Sequence, residues 1–188
     1  AVVGRIAGPP GGLRAGGEKP KQYQTIAGEP VLRHTLRAFL DHPGIDRVQV
    51  VIARGHEDWY AASVEGLDLP APAEGGASRQ ESVFNGLLAL EPLQPELVLV
   101  HDAARPFASR SLISHVIAHL DRHPAVIPAL PVTDTLKRAH GNIVKETVDR
   151  AGLWGVQTPQ GFRYHLIAEA HRLARAATAA SFTDDASI

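Results

Sequence analysis

The chain has 188 residues, and its 19 lysines and arginines nearly balance its 20 aspartates and glutamates, for a formal net charge of −1. A near-neutral chain without an apolar run of about 18 residues excludes a membrane-spanning helix, and it favours neither nucleic acid nor a membrane as a partner. The absence of cysteine excludes a disulfide framework, a thiol nucleophile and a cysteine-ligated metal.

The period of the apolar pattern changes along the chain, which predicts alternating helices and strands. Helical stripes span Val31–His42, Ser78–Leu90, Ser109–His123 and His165–Ala177, and short apolar runs span Arg47–Ala53, Leu97–Val100 and Ala125–Val132. Ser78 and Glu81 have the spacing of a capping box, which predicts the start of the second helix. Strands that are apolar throughout are covered on both faces, so we predict an α/β fold, a doubly wound and mostly parallel sheet sandwich.

The segment Thr133–Gln157 interrupts this alternation. Its polar and apolar residues form two runs around a glycine, which predicts a β-hairpin made of Thr135–Arg138, a turn, and Ile143–Val148. A hairpin arm with little core of its own is expected to pack on another surface, such as a second subunit. We therefore predict a single domain over residues 1–188 with a protruding arm at about 133–157.

A glycine-rich stretch near the start, Gly8–Lys21, is the first candidate site. Glycine-rich backbone can close its N–H groups around phosphate oxygens, and Arg14 and Lys21 can neutralise their charge. The stretch fits neither the P-loop pattern nor the dinucleotide-binding pattern. The alternative interpretation is a flexible surface loop.

A second candidate site follows the predicted strand Leu97–Val100. Ligands of open α/β sheets lie outside the carboxyl ends of the strands, where Asp102 is placed to hold Mg²⁺ through oxygen. Arg105 comes three residues later and could steady this loop or meet an anion. The alternative is a capping aspartate beside a surface arginine.

Two further segments could contact a substrate. The glycine turn Gly75–Ser82 enters a helix, where exposed N–H groups and hydroxyls could read the polar edge of a base. The predicted arm carries a hydroxyl and several cations that suit a phosphorylated substrate, namely Thr135, Lys137, Arg138, Lys145 and Arg150. A plain helix start and a solvated charged hairpin are the alternatives.

These residues lie in a series of blocks that resembles one known family. The blocks are KPKQY (19–23), GG-x-x-RQ-x-SV (75–83), LVHDAARPF (99–107), PVTDTLKR (131–138), TVDRAGLW (147–154), QTPQGF (157–162) and FTDDAS (182–187). In this order they are similar to the 2-C-methyl-D-erythritol 4-phosphate cytidylyltransferase family. The resemblance implies a nucleotidyltransferase-type sandwich and a homodimer joined through the arm. It also implies transfer of CMP from CTP to methylerythritol phosphate, with release of pyrophosphate, in non-mevalonate isoprenoid synthesis with Mg²⁺ or another divalent cation.

The resemblance also carries roles over to individual residues. Catalytic contacts with the CTP phosphates fall on Arg14 and Lys21. Nucleotide-binding positions are Gly12, Gly76, Arg79, Ser82, Asp102 and Ala103, with Asp102 also on the magnesium side. Positions for the acceptor substrate are Arg105, Thr135 and Arg150, of which the last two reach it from the partner's arm. Together with the absence of cysteine, which fits a reducing compartment, the resemblance predicts a cytoplasmic location.

The sequence departs from the family pattern in two places. Pro9 and Pro10 lie in the phosphate loop and have no N–H to donate. The chain ends at Ile188, before a family segment that carries another lysine near the triphosphate. The sequence is therefore a candidate for the front part of a longer or fused chain. Two alternatives stay open: a cytidylyltransferase for another polyol phosphate, such as ribitol 5-phosphate, and a non-catalytic nucleotide-binding module.

Overall fold

The fold is an α/β arrangement seen in a computed structural model that describes residues 2–6, 19–176 and 185–188. Its strands are Val2–Ile6 (β1), Thr25–Ile26 (β2), Glu29–Pro30 (β3), Val48–Ile52 (β4), Ala73–Glu74 (β5), Leu97–Asp102 (β6), Ala125–Val126 (β7), Ala129–Pro131 (β8), Leu136–His140 (β9), Ile143–Val148 (β10), Trp154–Val156 (β11) and Gln160–Arg163 (β12). Its α-helices are Val31–Leu40 (α1), Glu57–Val64 (α2), Arg79–Leu90 (α3), Arg110–His119 (α4) and Tyr164–Ala176 (α5). Short 3₁₀ turns cover Lys21–Tyr23, Glu91–Leu93 and Asp185–Ser187. None of the helices in these ranges is long and apolar enough to cross a membrane.

A six-stranded sheet in the order β5-β4-β1-β6-β12-β7 forms the centre of the fold. The pairs β5–β4, β4–β1 and β1–β6 are parallel, while β12 runs antiparallel to both β6 and β7. The prediction of a doubly wound, mostly parallel sheet is confirmed. Its antiparallel member, β12, belongs to a segment for which the apolar pattern predicted no strand.

Alternating side chains of the strands point into two hydrophobic cores. On one face, Val50 and Leu99 pack with side chains of α1 and α4. On the other face, Val51 and Val100 pack with side chains of α3 and α5. Because successive strand residues point to opposite faces, strands that are apolar throughout require helices on both sides, as the pattern predicts.

Helix α3 begins where the capping pattern predicts. The Ser78 hydroxyl accepts from the Glu81 N–H at 3.0 Å, which satisfies one of the free donors of the first turn. The Glu81 carboxylate accepts from the Ala77 N–H at 2.8 Å, one residue before the capping-box position. Serine caps fix the starts of both α3 and α4, since Ser109 accepts from the Leu112 N–H in the same way.

The predicted strand Ala125–Val132 was wrong as a single element. The structure divides it into β7, which joins the central sheet, and β8, which pairs with β11. Pro128 lies between the two and has no N–H to donate, and its carbonyl accepts from the Gln157 N–H instead. Helix α2 was not predicted, because it buries only Tyr60 and Ser63 and so shows no clear apolar stripe.

The predicted β-hairpin is present as β9 and β10. The antiparallel strands pair from Leu136 with Val148 to His140 with Ile143, and Gly141 takes a positive φ of 57° in the turn. Such a φ is readily adopted by glycine, which agrees with the predicted glycine-centred turn. Most of its side chains are exposed, including Ile143 at 65%.

Candidate functional site

The carboxyl ends of the parallel strands bring the predicted nucleotide segments to one edge of the sheet. From β1 the chain moves to β4 and β5 on one side and then returns to β6 on the other side of β1. The ends of β1 and β6 lie side by side, with Arg5 opposite Asp102 in the register. In open α/β sheets this switch in strand order is where ligands bind, so the site is expected between β1 and β6. Gly12 and Arg14 lie outside the described residues.

A cavity of about 770 Å³ opens beside the loop that follows β6. Its polar lining includes Lys21, His101, Arg105, Gln157 and Thr158, and apolar side chains complete the wall. The cavity therefore brings Lys21, from the front of the chain, to the same place as Arg105, from its middle. Two cations at one cavity can neutralise an anionic ligand.

A short turn with a buried partner presents Lys21 at this cavity. Pro20 precedes the 3₁₀ turn Lys21–Tyr23, and its carbonyl accepts from the Tyr23 N–H at 3.0 Å. Tyr23 is completely buried among residues of the first core, and this burial raises the pKa of its hydroxyl. The exposed Lys21 side chain thus extends from a backbone held in place by its buried neighbour.

Arg105 connects Asp102 to the segment that precedes β12. Its Nε lies 3.2 Å from Asp102 Oδ2, and its Nη1 donates to Gln157 Oε1 at 2.8 Å. Gln157 is held in turn through its N–H, which donates to the Pro128 carbonyl at 2.8 Å. Arg105 therefore stabilises this loop through contacts on both sides, as one of its two predicted roles requires.

The donor set at this edge fits a magnesium ion that is carried mainly by phosphates. The side chain of Asp102 is 31% exposed at the end of β6 and can offer a carboxylate oxygen. Among the described residues, no group of three or more histidine, aspartate or glutamate side chains could hold a metal by itself. Mg²⁺ is commonly bound through one or two carboxylates, with substrate phosphates and water as its other ligands, and one carboxylate meets that need.

His101 is buried directly behind the Asp102 loop. Its Nε2 lies 2.9 Å from the Arg105 carbonyl, and its Nδ1 lies 2.9 Å from the Thr158 hydroxyl. Burial lowers the pKa of His101, against the smaller raising effects of the Arg105 carbonyl and Asp102. The motif HDAARP contains this histidine, but spacing alone assigns it no role.

The turn before α3 is held by the residues predicted to contact a base. Gly76 donates its N–H to Ser82 Oγ at 3.1 Å, and the buried Ser82 hydroxyl donates to the Ser78 carbonyl at 2.9 Å. A Cβ on Gly76 would lie 2.1 Å from Glu81 Cγ, so only glycine fits here without movement. Ser82 thus shapes the turn from its buried side, and the nucleotide-binding role of Gly76 and Ser82 stays a prediction.

Arg79 forms an ion pair that the sequence did not reveal. Its guanidinium donates to the carboxylate of Asp185, whose side chain is fully buried, and the side chain of Arg79 is 21% exposed. His171, on α5, is also fully buried and places Nε2 3.6 Å from Asp185 Oδ1. Burial alone would raise the pKa of Asp185, but His171 and Arg79 together lower it. The block FTDDAS contains Asp185, yet only the folded chain shows that it meets Arg79.

The arm residues predicted to contact the acceptor do not line this cavity. Thr135 and Arg150 are exposed, and Arg150 donates to the Thr133 carbonyl at the base of the hairpin. Ala103, by contrast, is buried, and its carbonyl accepts from the Thr35 hydroxyl at 2.8 Å. The described residues of one chain therefore bring Lys21, Arg105 and the Asp102 loop together, while Thr135 and Arg150 lie outside the cavity lining.

The three layers, a central sheet with helices on both faces, match the nucleotidyltransferase-type fold of the solved structures described below. The family model described as IspD, 2-C-methyl-D-erythritol 4-phosphate cytidylyltransferase, matches residues 2–188. The chain belongs to this family.

Relatives and solved structures agree with that family. The chain is 52% identical over 178 residues to the bifunctional enzyme IspD/IspF of Rhodospirillum rubrum, covering 94% of this chain and 46% of that protein. It thus spans about half the length of the curated relatives it matches. The 2-C-methyl-D-erythritol 4-phosphate cytidylyltransferase of Thermus thermophilus is 35% identical, with a TM-score of 0.74 over 100% of this chain and 81% of that one. The Francisella tularensis enzyme is 31% identical, with a TM-score of 0.82 over 99% of this chain and 83% of that one.

Proposed function

We propose that this chain transfers CMP from CTP to 2-C-methyl-D-erythritol 4-phosphate in isoprenoid biosynthesis. The observation that carries the proposal is the cavity beside the loop after β6, which Lys21 and Arg105 both line and where Arg105 pairs with Asp102, in a chain of this family. The products are the CDP-alcohol and pyrophosphate. A cytoplasmic location remains a prediction from the cysteine-free composition and the family resemblance.

The reaction needs charge neutralisation and alignment. An oxygen of the acceptor phosphate attacks the α-phosphorus of CTP, a new P–O bond forms, and the bond from the α-phosphorus to the bridging oxygen breaks. The electron pair of that bond leaves with pyrophosphate. Because two anions must meet, Lys21, together with Arg14 from the glycine-rich stretch, is assigned to stabilise the negative charge around the α-phosphorus.

A divalent ion, Mg²⁺ in our proposal, would be held by Asp102 together with the triphosphate. When bound, it supplies positive charge that offsets the phosphates. Arg105 keeps the Asp102 carboxylate in place through its ion pair, in which the Asp102 side chain is 31% exposed. The chain's own contribution is thus to orient a carboxylate and two cations around one nucleotide.

The base is assigned to the turn before α3. Gly76 and Ser82 hold this turn by internal contacts, and Arg79 at its end pairs with Asp185. Gly12, Arg79 and Ala103 are assigned to the nucleotide side as well. Backbone N–H groups and hydroxyls at such a turn can recognise the polar edge of cytosine. Fixed donors that leave the wrong base unpaired are an effective source of specificity, so we expect CTP to be preferred over UTP and ATP.

The acceptor is assigned to Arg105 and, from a second subunit, to Thr135 and Arg150. Within one chain the arm leaves large apolar side chains exposed, including Ile143 at 65% and Val144 at 58%. Such side chains suit an interface between two copies of the chain. We therefore propose a homodimer joined through the hairpin arm, with each arm completing the partner's site.

The decisive experiment measures pyrophosphate release with CTP, Mg²⁺ and methylerythritol phosphate. Parallel reactions replace CTP by UTP or ATP, and replace the acceptor by ribitol 5-phosphate. We expect release with CTP and methylerythritol phosphate at the highest kcat/KM. Tight CTP binding without release would instead identify a nucleotide-binding module, and a higher kcat/KM for ribitol 5-phosphate would reassign the acceptor.

A mixing experiment tests the shared site. Lys21→Ala and Arg150→Ala chains are each expected to be weakly active, and a mixture of the two should regain activity. In the mixed dimer one site receives both substitutions, and the other receives neither. A mixture no more active than its components would contradict an arm that acts on the partner's cavity.

A further inference from the structure

A chain of hydrogen bonds connects the ring of His101 to both ends of the loop that carries Asp102. The Asp102 N–H donates to Thr158 Oγ1 at 3.4 Å, and the Thr158 hydroxyl lies 2.9 Å from His101 Nδ1. On the other side of the ring, Nε2 lies 2.9 Å from the carbonyl of Arg105. The buried His101 ring thus holds the loop 102–105 directly at its last carbonyl and, through Thr158, at its first amide.

The partners of the ring decide which nitrogen carries the proton. The Arg105 carbonyl can only accept, so His101 Nε2 must donate to it. In a neutral ring Nδ1 is then an acceptor, and the Thr158 hydroxyl donates to it. The lone pairs of Thr158 Oγ1 can then accept from the Asp102 N–H. In this arrangement every one of the three hydrogen bonds has one donor and one acceptor.

The surroundings of His101 restrict the movement of the ring. The side chain is only 1% exposed, and its ring centroid lies 4.7 Å from that of Phe39. The residue after Asp102 is held as well, since the Thr35 hydroxyl donates to the Ala103 carbonyl at 2.8 Å. The loop therefore lies on fixed buried polar groups, while Ala104 and Arg105 line the cavity.

We propose that His101 is a positioning residue for the transfer: its buried ring fixes the loop 102–105, and with it the directions of Asp102 and Arg105, through Thr158 and the Arg105 carbonyl. This inference rests on the proposed function. His101 does not touch the nucleotide in this account. Because displacement of a reacting group by about 1 Å can cost about 10²-fold in rate, loosening this loop is expected to lower kcat more than it changes KM for CTP.

Two substitutions separate the two halves of the network. In His101→Gln the amide reaches the place of Nε2 and can donate to Arg105, but the acceptor at Nδ1 is lost. In His101→Asn the amide oxygen lies near the place of Nδ1 and can accept from Thr158, but the bond to Arg105 is lost. We expect each variant to lower kcat by up to about 10²-fold with a smaller change in KM for CTP.

Thr158 provides a conservative pair and a double-variant test. Thr158→Ser keeps the hydroxyl and is expected to retain a higher kcat than Thr158→Val, which removes it. His101→Gln and Thr158→Val break the same hydrogen bond, so the double variant should be no slower than the slower single variant. Additive losses in the double variant would overturn the proposal. Equal rates for Thr158→Ser and Thr158→Val would overturn it even if the His101 variants failed to fold.

His42 is a matched control for the loss of a buried histidine. It is 5% exposed, its Nε2 lies 3.0 Å from Ser114 Oγ, its Nδ1 accepts from the Gly44 N–H at 3.1 Å, and it does not line the cavity. His42→Gln is expected to lower thermal stability while kcat stays unchanged. A fall in kcat for His42→Gln equal to that for His101→Gln would reduce His101 to a general stability role and overturn the proposal.

Hydrogen exchange distinguishes failure of this inference from failure of the proposed function. Exchange of the Asp102 amide should be faster in Thr158→Val and His101→Gln than in Thr158→Ser, and this readout needs no catalysis. Absence of pyrophosphate release from the unsubstituted protein would refute the proposed function alone. Unchanged exchange of the Asp102 amide in both His101→Gln and Thr158→Val would refute the network.

Discussion

The loop after β6 and the hairpin of β9 and β10 both carry charged side chains, but in opposite surroundings. Around β6, Asp102 and Arg105 lie on buried groups and are held by hydrogen bonds from two segments of the chain, His101 on β6 and the neighbours Gln157 and Thr158. On the hairpin, pairs such as Arg138 with Glu146 are exposed on both sides. Under the proposed function, we expect one chain to preorganise the nucleotide side by itself and the acceptor side to depend on a second subunit.

The largest effect is expected at Asp185, whose buried ion pair with Arg79 contrasts with the exposed ion pair of the hairpin. Asp185→Asn leaves Arg79 beside a neutral amide in a place where the partner side chain was fully buried. Breaking a buried pair by removing one partner costs about 3 kcal/mol or more, so we expect a loss of this order in the free energy of unfolding. Urea denaturation provides the measurement.

The matched control for Asp185 is Glu91, which pairs with Arg172 on the surface between the end of α3 and α5. Both members of that pair are more than 40% exposed, so Glu91→Gln is expected to cost at most about 1 kcal/mol. Equal losses for the two variants would show that burial does not distinguish these pairs, and the comparison between the two regions would lose one of its supports.

The next largest effect is expected at Lys21. Lys21→Ala removes a cation from the cavity, and loss of one such charge typically lowers kcat by about 10²–10³-fold. The measurement is steady-state pyrophosphate release. Lys19→Ala is the control, because Lys19 is an exposed lysine two residues earlier that does not line the cavity. A normal turnover in Lys21→Ala would separate this residue from the chemistry.

The close contact between α4 and β12 gives a smaller effect on stability. A Cβ on Gly161 would lie 2.6 Å from Val116 Cγ1 and 2.9 Å from Leu120 Cδ1. Gly161→Ala is therefore expected to lower the free energy of unfolding by about 1–3 kcal/mol through overpacking. At Gly155 the added Cβ would meet only the Leu130 carbonyl oxygen at 3.7 Å, so Gly155→Ala should leave the free energy of unfolding nearly unchanged. Urea denaturation of both variants provides the measurement.

Low pH should lower the free energy of unfolding through protonation of Asp185. Burial raises its pKa, but His171 and Arg79 outweigh this and leave the pKa below the ordinary value of 3.8. A carboxylate with a lowered folded-state pKa stabilises the fold fully above its unfolded pKa, and this contribution is lost as the pH falls through the folded value. Urea midpoints measured from neutral pH to below 3.8 should therefore fall less in Asp185→Asn than in the unsubstituted protein. Identical pH profiles would contradict a lowered pKa at Asp185.

The smallest effect is expected on the hairpin. Arg138 and Glu146 lie 2.6 Å apart, but their side chains are 67% and 58% exposed. Exposed pairs contribute about 0–1 kcal/mol, so Glu146→Gln should barely change the urea midpoint. A loss as large as that of Asp185→Asn would show that the arm is held as firmly as the sheet edge, and the contrast between the regions would not stand.

Local pattern determined several features of this protein from its sequence. The stripe of Val31–Leu40, the serine cap at Ser78 and the glycine turn at Gly141 are predictable because each depends on residues near one another in the chain. The motif blocks likewise indicated the family and singled out Lys21 and Asp102. These features need only the period of a helix or strand and the chemistry of a turn.

Only the tertiary structure decided which distant groups meet. The partner of Arg79 is Asp185, 106 residues later. The hydrogen-bond partner of His101 Nδ1 is Thr158, 57 residues later. The sequence also did not reveal that Ala125–Val132 contributes to two different sheets. Such contacts depend on how the sheet orders its strands and on which buried polar groups remain unsatisfied, and neither is encoded by local periodicity.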